Sequence, residues 1–323
     1  MPSKLDQLRL MTAVVADTGD IEAVRRLRPQ DCTTNPTLIL KAAGTPAGAD
    51  ILDRAIGWAR SRTGGASALL STVTDRVAVA TGAELAALVP GRVSTEVDAD
   101  LSFDTARTVS TARRIVADYE ALGIGRERIL IKIAATWEGI RAAEELARDG
   151  IDCNLTLVFS IEQAMACADA GAFLISPFVG RILDWHVAAG RGPFEAETDP
   201  GVLSVRQIYA AFKARGVATV VMGASFRNAG EVEALAGCDR LTVSPALLDE
   251  LAGSDAPLPR RLRPDGVTDA PPWVVRDEAA FRFALNADAT ATEKLADGIR
   301  QFVRDLRALQ DLVAARLRQA EAA

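Results

Sequence analysis

Residues 129–135, Ile-Leu-Ile-Lys-Ile-Ala-Ala, are apolar at every position except Lys132. A run of this length, rich in isoleucine, predicts a buried strand. Thr136-Trp137-Glu138-Gly139 then opens a helical pattern, with Thr136 as its cap and an end near residue 148. Strand followed by helix suggests a parallel α/β unit whose strands are covered on both faces. Side chains alternate along a strand, so Ile129, Ile131 and Ile133 share one face, while Leu130, Lys132 and Ala134 share the other.

Similar short runs recur at 12–16, near 31–36, and at 92–97, 153–158, 173–178, 219–223 and 240–243. Helical patterns separate them. Ile51, Leu52, Ala55, Ile56 and Ala59 fall on one helix face, and Ala106, Val109, Ala112, Val116 and Tyr119 on another. Further helices are predicted over 66–88 and 202–215, and Ser160 begins one more. Pro36 pushes Asn35 into an extended conformation. Residues 187–200 read as a loop, and the proline-rich 251–272 as a surface excursion. Near the end, Thr290 and Glu293 predict a capping box. The helix they would open runs to about 320, with Leu295, Ile299, Phe302, Val303, Leu306 and Leu309 as its apolar stripe. Such a stripe is a packing face; it could also cover the mouth of a barrel or a neighbouring subunit.

Eight strands alternating with helices predict a (β/α)8 TIM barrel, with an open doubly wound sheet as the alternative. The chain of 323 residues reads as one barrel domain, 1–323, with the helix 290–320 packed on it.

Composition narrows the function. Hydrophobic residues make up 49% of the chain, enough for a large core. The net charge is −6 without a long basic run, which argues against a nucleic-acid partner. No apolar run approaches membrane-spanning length, and the N-terminal region lacks a signal-peptide core, so a cytoplasmic location is expected. Cys32, Cys153, Cys167 and Cys238 are widely spaced and read as reduced, buried thiols. His186 is the sole histidine, which excludes a histidine metal cluster within the chain, and it reads as a surface or rim residue. There is no nucleophile elbow, dinucleotide fingerprint or Walker loop.

Catalytic groups of a TIM barrel sit at the carboxyl ends of its strands. Those ends carry Asp17, Asn35, Glu96, Lys132, Asn154 with Thr156, Ser176, and Ser225 with Arg227. Desolvation favours a neutral lysine, and a neutral amine attacks carbonyls to form a Schiff base. An edge-guarding or ion-paired lysine is the plainer alternative. Asp17 is the candidate base for a substrate hydroxyl. Glu96 could move the protons of carbinolamine dehydration, directly or through a water held by Thr156. Either carboxylate could instead pair with Lys132. Asn35 and Asn154 suit sugar hydroxyls, and Arg181 and Arg227 suit phosphate.

Around these residues the chain resembles the transaldolases, in their longer form. The matching blocks are residues 17–20 (Asp-Thr-Gly-Asp), 33–36 (Thr-Thr-Asn-Pro), 91–98 around Glu96, 131–139 around Lys132, 153–157, 175–185 and 222–228. They run in order from about residue 12 to about residue 305. The resemblance implies a class I aldolase-type barrel that uses no metal or organic cofactor and forms a homodimer. It implies Lys132 as the Schiff-base lysine, Asp17 as the acid/base for carbon–carbon cleavage, and Glu96 with Thr156 as the proton relay. Asn35, Asn154 and Ser176 would orient a dihydroxyacetone unit, with Thr33 also binding substrate. Arg181, Ser225 and Arg227 would hold phosphate, and Phe178 would wall the pocket. The implied reaction moves that unit from sedoheptulose 7-phosphate to glyceraldehyde 3-phosphate. A simple aldolase and a barrel that only binds are the competing readings.

Overall fold

The strands close. In the computed structural model, which describes residues 2–61, 66–265 and 270–322, eight parallel strands form one barrel in chain order. They are β1 Ala13–Asp17, β2 Asp31–Thr33, β3 Val93–Glu96, β4 Ile129–Ala134, β5 Cys153–Val158, β6 Leu174–Pro177, β7 Val220–Gly223 and β8 Arg240–Val243. β1 pairs with both β2 and β8, which excludes the open sheet.

The alternation read in β4 holds. Ile129, Ile131 and Ile133 face outward into the main core beneath the helices. Leu130 joins Val15, Leu174 and Met222 in a small cluster inside the barrel. Lys132 shares the Leu130 face and therefore points inward. Register aligns the polar layer, because Lys132 stands opposite Glu96 on one side and Asn154 on the other.

Helix starts follow local chemistry. Thr136 accepts from Gly139 N at 3.0 Å, and Ser160 accepts from Gln163 N at 3.2 Å, both as expected of N-caps. Asn35 is extended and caps the helix Pro36–Ala43. The C-terminal helix departs from expectation. It runs Ala289–Ala322, and the Thr290–Glu293 capping box does not form. Asp288 precedes the first turn and accepts from Ala291 N at 2.9 Å, so the cap lies two residues earlier. Glu293 instead accepts from Trp185 Nε1 at 2.7 Å.

The stretch 187–200 is shorter as a loop than expected. The helix Gly180–Ala188 enters it, and the next helix starts at Pro200. Asp199 caps that start by accepting from Gly201 and Val202, and proline suits the first helical position. In the stretch 251–272, residues 266–269 lie outside those described, and 253–265 carry no regular element. The short helices Lys4–Arg9 and Glu278–Ala287 have no counterpart in the sequence reading.

The C-terminal helix serves two cores. Leu295, Ile299 and Phe302 pack with Leu157, Phe159, Phe178 and Ile182 at the barrel mouth. Leu309, Val313 and Leu317 pack on Ile39, Leu52 and Ile56. Covering the mouth, one of the options left open by the stripe, is thus what its first half does.

Candidate active site

A cavity of about 260 Å³ opens at the carboxyl ends of the strands. Lys132 lines it, 4% exposed overall. Its Nζ lies 3.1 Å from Glu96 Oε2 and donates to Thr34 O at 3.1 Å. Asp17 at the end of β1 and Thr33 at the end of β2 line the same cavity. Thr33 Oγ1 donates to Asp17 Oδ1 at 2.8 Å and sits 2.6 Å from Thr242 Oγ1, so the hydroxyl pair fixes the carboxylate. Asn35, Thr156, Ser176, Phe178, Arg181, Ser225 and Arg227 are also in the lining. Two expected residues are not. Glu96 stands behind Lys132, and Asn154 is fully buried. Asn154 donates to Ser94 Oγ at 3.1 Å and accepts from Ser176 Oγ at 2.7 Å, which directs Ser176.

Burial sets the acid–base character. It pushes the Asp17 carboxyl above its ordinary value, while Lys132 and the Thr33 hydrogen bond pull it back. Glu96, whose side chain is 4% exposed, is likewise pushed up by burial and pulled back by Lys132. Glu96 is thus the ion-pair partner of Lys132, and the two can exchange a proton across that short gap. Thr156 Oγ1 is buried and makes no hydrogen bond with the described residues.

The mouth is cationic and aromatic. The Arg181 guanidinium lies over Phe178 at 5.0 Å and Phe302 at 5.5 Å. Arg227 binds Asp184, with Nη2 2.6 Å from Oδ2, and its Nη1 reaches Ser225 Oγ at 3.4 Å. Ser225 has a left-handed backbone, φ 63°, a costly conformation for a non-glycine residue. Gly180 makes that turn possible: a Cβ there would stand 2.6 Å from Ser225 O. On the neighbouring side of β6, β5 carries an irregularity between Leu155 and Val158, and Leu157 adopts φ 56°. The bulge turns Leu157 into the mouth cluster against the C-terminal helix. There Gly298 leaves room for it, since a Cβ would come within 2.6 Å of Leu157 Cδ2.

The lining residues not foreseen as site residues include Phe302, Thr242 and Lys41. Phe302 lies in the apolar stripe, whose second option was to cover a barrel mouth. Thr242 is a polar, inward residue of β8, a signal available in the pattern. Nothing in the sequence marks Lys41 out from other helix lysines. His186 lies outside the cavity, half-buried, beside Trp185 and Arg191. All four cysteines are buried and unpaired. Among the described residues no group of His, Cys, Asp or Glu gathers as a metal set, and no helix is long and apolar enough to cross a membrane.

The pattern of the family described as Transaldolase/Fructose-6-phosphate aldolase matches residues 14–313. The chain belongs to that family. A transaldolase of Agrobacterium fabrum is 62% identical over 322 residues, covering both chains completely. A transaldolase of Rhizobium etli is 61% identical over 323 residues, again end to end. A transaldolase of Xanthomonas euvesicatoria is 55% identical over 317 residues, 98% of each chain.

Proposed function

We propose that this chain is a transaldolase. It moves a three-carbon dihydroxyacetone unit from sedoheptulose 7-phosphate to glyceraldehyde 3-phosphate, as in the pentose phosphate pathway. The products are erythrose 4-phosphate and fructose 6-phosphate. The observation that carries this reading is the buried Lys132–Glu96 pair, 3.1 Å apart, at one side of a cavity that Asp17 also lines.

The steps follow from that arrangement. Lys132 passes a proton to Glu96, and the freed Nζ lone pair attacks the ketone carbon. A proton shifts from Nζ to the new alkoxide, and the carbinolamine hydroxyl so formed takes the Glu96 proton and leaves as water, giving an iminium. Asp17 removes the proton of the hydroxyl two carbons from the iminium carbon, on the carbon that becomes the departing aldehyde. The carbon–carbon bond breaks, its electron pair neutralises the iminium as an enamine, and the aldehyde departs. The acceptor aldehyde enters and the steps reverse. The raised Asp17 pKa makes it a stronger base for an alcohol than an ordinary aspartate. Asn35 and Ser176 orient the three-carbon unit. Arg181, Ser225 and Arg227 hold the phosphate.

A simple aldolase would release the unit to water. Phe178 and Phe302 at the mouth favour transfer, since an apolar rim keeps water from the enamine. Borohydride reduction with fructose 6-phosphate, followed by peptide mass mapping, tests the imine. An adduct on Lys132 is expected. A folded, saturated protein without an adduct would refute the mechanism and leave the binding reading.

A further inference from the structure

A second, narrower cavity of about 40 Å³ adjoins the substrate cavity. Asn35 lines both, and Glu96 lines only this one. It lies beyond the carboxyl end of β3, between the helices Ala66–Ala86 and Thr105–Glu120 and the C-terminal helix. A water needs about 10–15 Å³ on this measure, so the space holds about three. Polar partners are present. Thr34 Oγ1 already donates to Ser94 O, and Thr95 Oγ1 is bonded to the Tyr119 hydroxyl, yet both keep acceptor capacity. The Asp98 carboxylate, also in the wall, has no hydrogen bond or ion pair with a described residue.

Glu96 points to what the space contains. Its Oε2 is buried and receives no well-aligned hydrogen bond, although Lys132 Nζ stands 3.1 Å away as a charge partner. Buried polar atoms of this kind are commonly satisfied by water.

Imine formation must dispose of one water. The Nζ–carbon bond forms and the carbon–oxygen bond breaks. The leaving hydroxyl takes the Glu96 proton and departs as water. A donor sugar then occupies the front cavity. We propose that the second cavity is the water chamber of this cycle. It receives the water released at dehydration, exchanges it with solvent past Asp98, and supplies the water that hydrolyses the final iminium. The enamine in the front cavity meanwhile stays dry. The proposal rests on the Lys132 imine reading. Asp98 suits the outer gate: burial pushes its carboxyl up to about 6, with Asp75, Asp100, Arg107 and Arg114 as its charged neighbours. Its carboxylate oxygens can accept hydrogen bonds from passing water.

The test labels the ketone oxygen of fructose 6-phosphate with a heavy isotope. Label loss is measured against exchange with labelled glyceraldehyde 3-phosphate, after subtracting uncatalysed loss. Ala78→Leu and Thr111→Leu fill the chamber from two different helices, and Ala78→Ser leaves it open. The wild type should lose about one label per transfer at saturation. Each leucine variant should lower that ratio at least about five-fold, with Ala78→Ser unchanged. A mere displacement of Glu96 would slow both processes together and leave the ratio alone. An unchanged ratio in either folded leucine variant overturns the chamber. So does a wild-type ratio far below one, which needs no variant at all. Borohydride trapping separates the two ideas: an adduct on Lys132 with an unchanged ratio removes only the chamber, and no adduct removes both.

Discussion

Lys132 gains its character from two contacts, a carbonyl and a carboxylate. Its Nζ donates to Thr34 O and stands 3.1 Å from Glu96 Oε2, and these contacts hold it at the cavity wall. Lys132→Ala should cut transfer at least about 10³-fold, as loss of a covalent nucleophile does. The fold should survive, because the orphaned Glu96 can take up a proton, which burial already favours. Circular dichroism beside the activity assay checks both halves. Asp17→Asn should give a different defect. It keeps Lys132, so borohydride should still trap the donor, yet turnover should fall by about 10²–10⁴-fold, the usual range for one acid–base group. If Asp17→Asn abolished trapping as well, Asp17 would act in imine formation and its assignment to cleavage would be lost. Because Asp17 is raised by burial, the acid limb of turnover should lie above the ordinary carboxylate range. At this scale the sequence was informative: polar residues at strand ends stood out against apolar runs. It could not show that Asn154 turns to Ser94 and Ser176 rather than into the cavity, since that choice depends on neighbouring strands.

Among the elements, β5 and the C-terminal helix are fitted to each other. Leu157 occupies the place where a Gly298 side chain would be, and Arg181 Nη1 would lie 3.1 Å from the same Cβ. Gly298→Ala should therefore destabilise the protein by about 1–3 kcal/mol through overpacking. It should also raise KM for sugar phosphates, because Arg181 must move. Thermal unfolding and steady-state kinetics read the two effects, and unchanged values in both would remove the proposed contact. Phe302→Ala should cost about 3–5 kcal/mol as a core truncation, since Phe302 is 1% exposed. It should also admit water to the enamine, measured as aldolase-type release of the three-carbon unit without acceptor. The strands were legible because their apolar runs are short and repeated. The capping box at Thr290 and Glu293 failed for a local reason: Asp288 is a better-placed cap, and Trp185, distant in the chain, claims Glu293.

Across the whole molecule, one buried acid ties stability to pH. Glu231 is fully buried, accepts from Arg227 N at 2.7 Å, and is pushed up to about 7 by burial. Its protonated form is favoured in the fold. Its contribution is therefore fully present below pH ~4.5 and is lost as pH rises through about 7. Glu231→Gln should remove that loss and make the variant more stable than wild type by about 2–3 kcal/mol at pH ~8, with little difference near pH ~4. Denaturant unfolding at the two pH values checks this, and equal stabilities at both would show that Glu231 ionises freely. The sequence by itself determined the number of strands, the face that Lys132 shares with Leu130 and Ala134, and the carboxylates able to serve it. Those features rest on local alternation and residue chemistry, which a single chain segment carries. Only the tertiary structure decided that the strands close into a ring, that Glu96 rather than Asp17 pairs with Lys132, and that Phe302 reaches the mouth. Such facts depend on register and packing between segments far apart in the chain, and no local pattern encodes them.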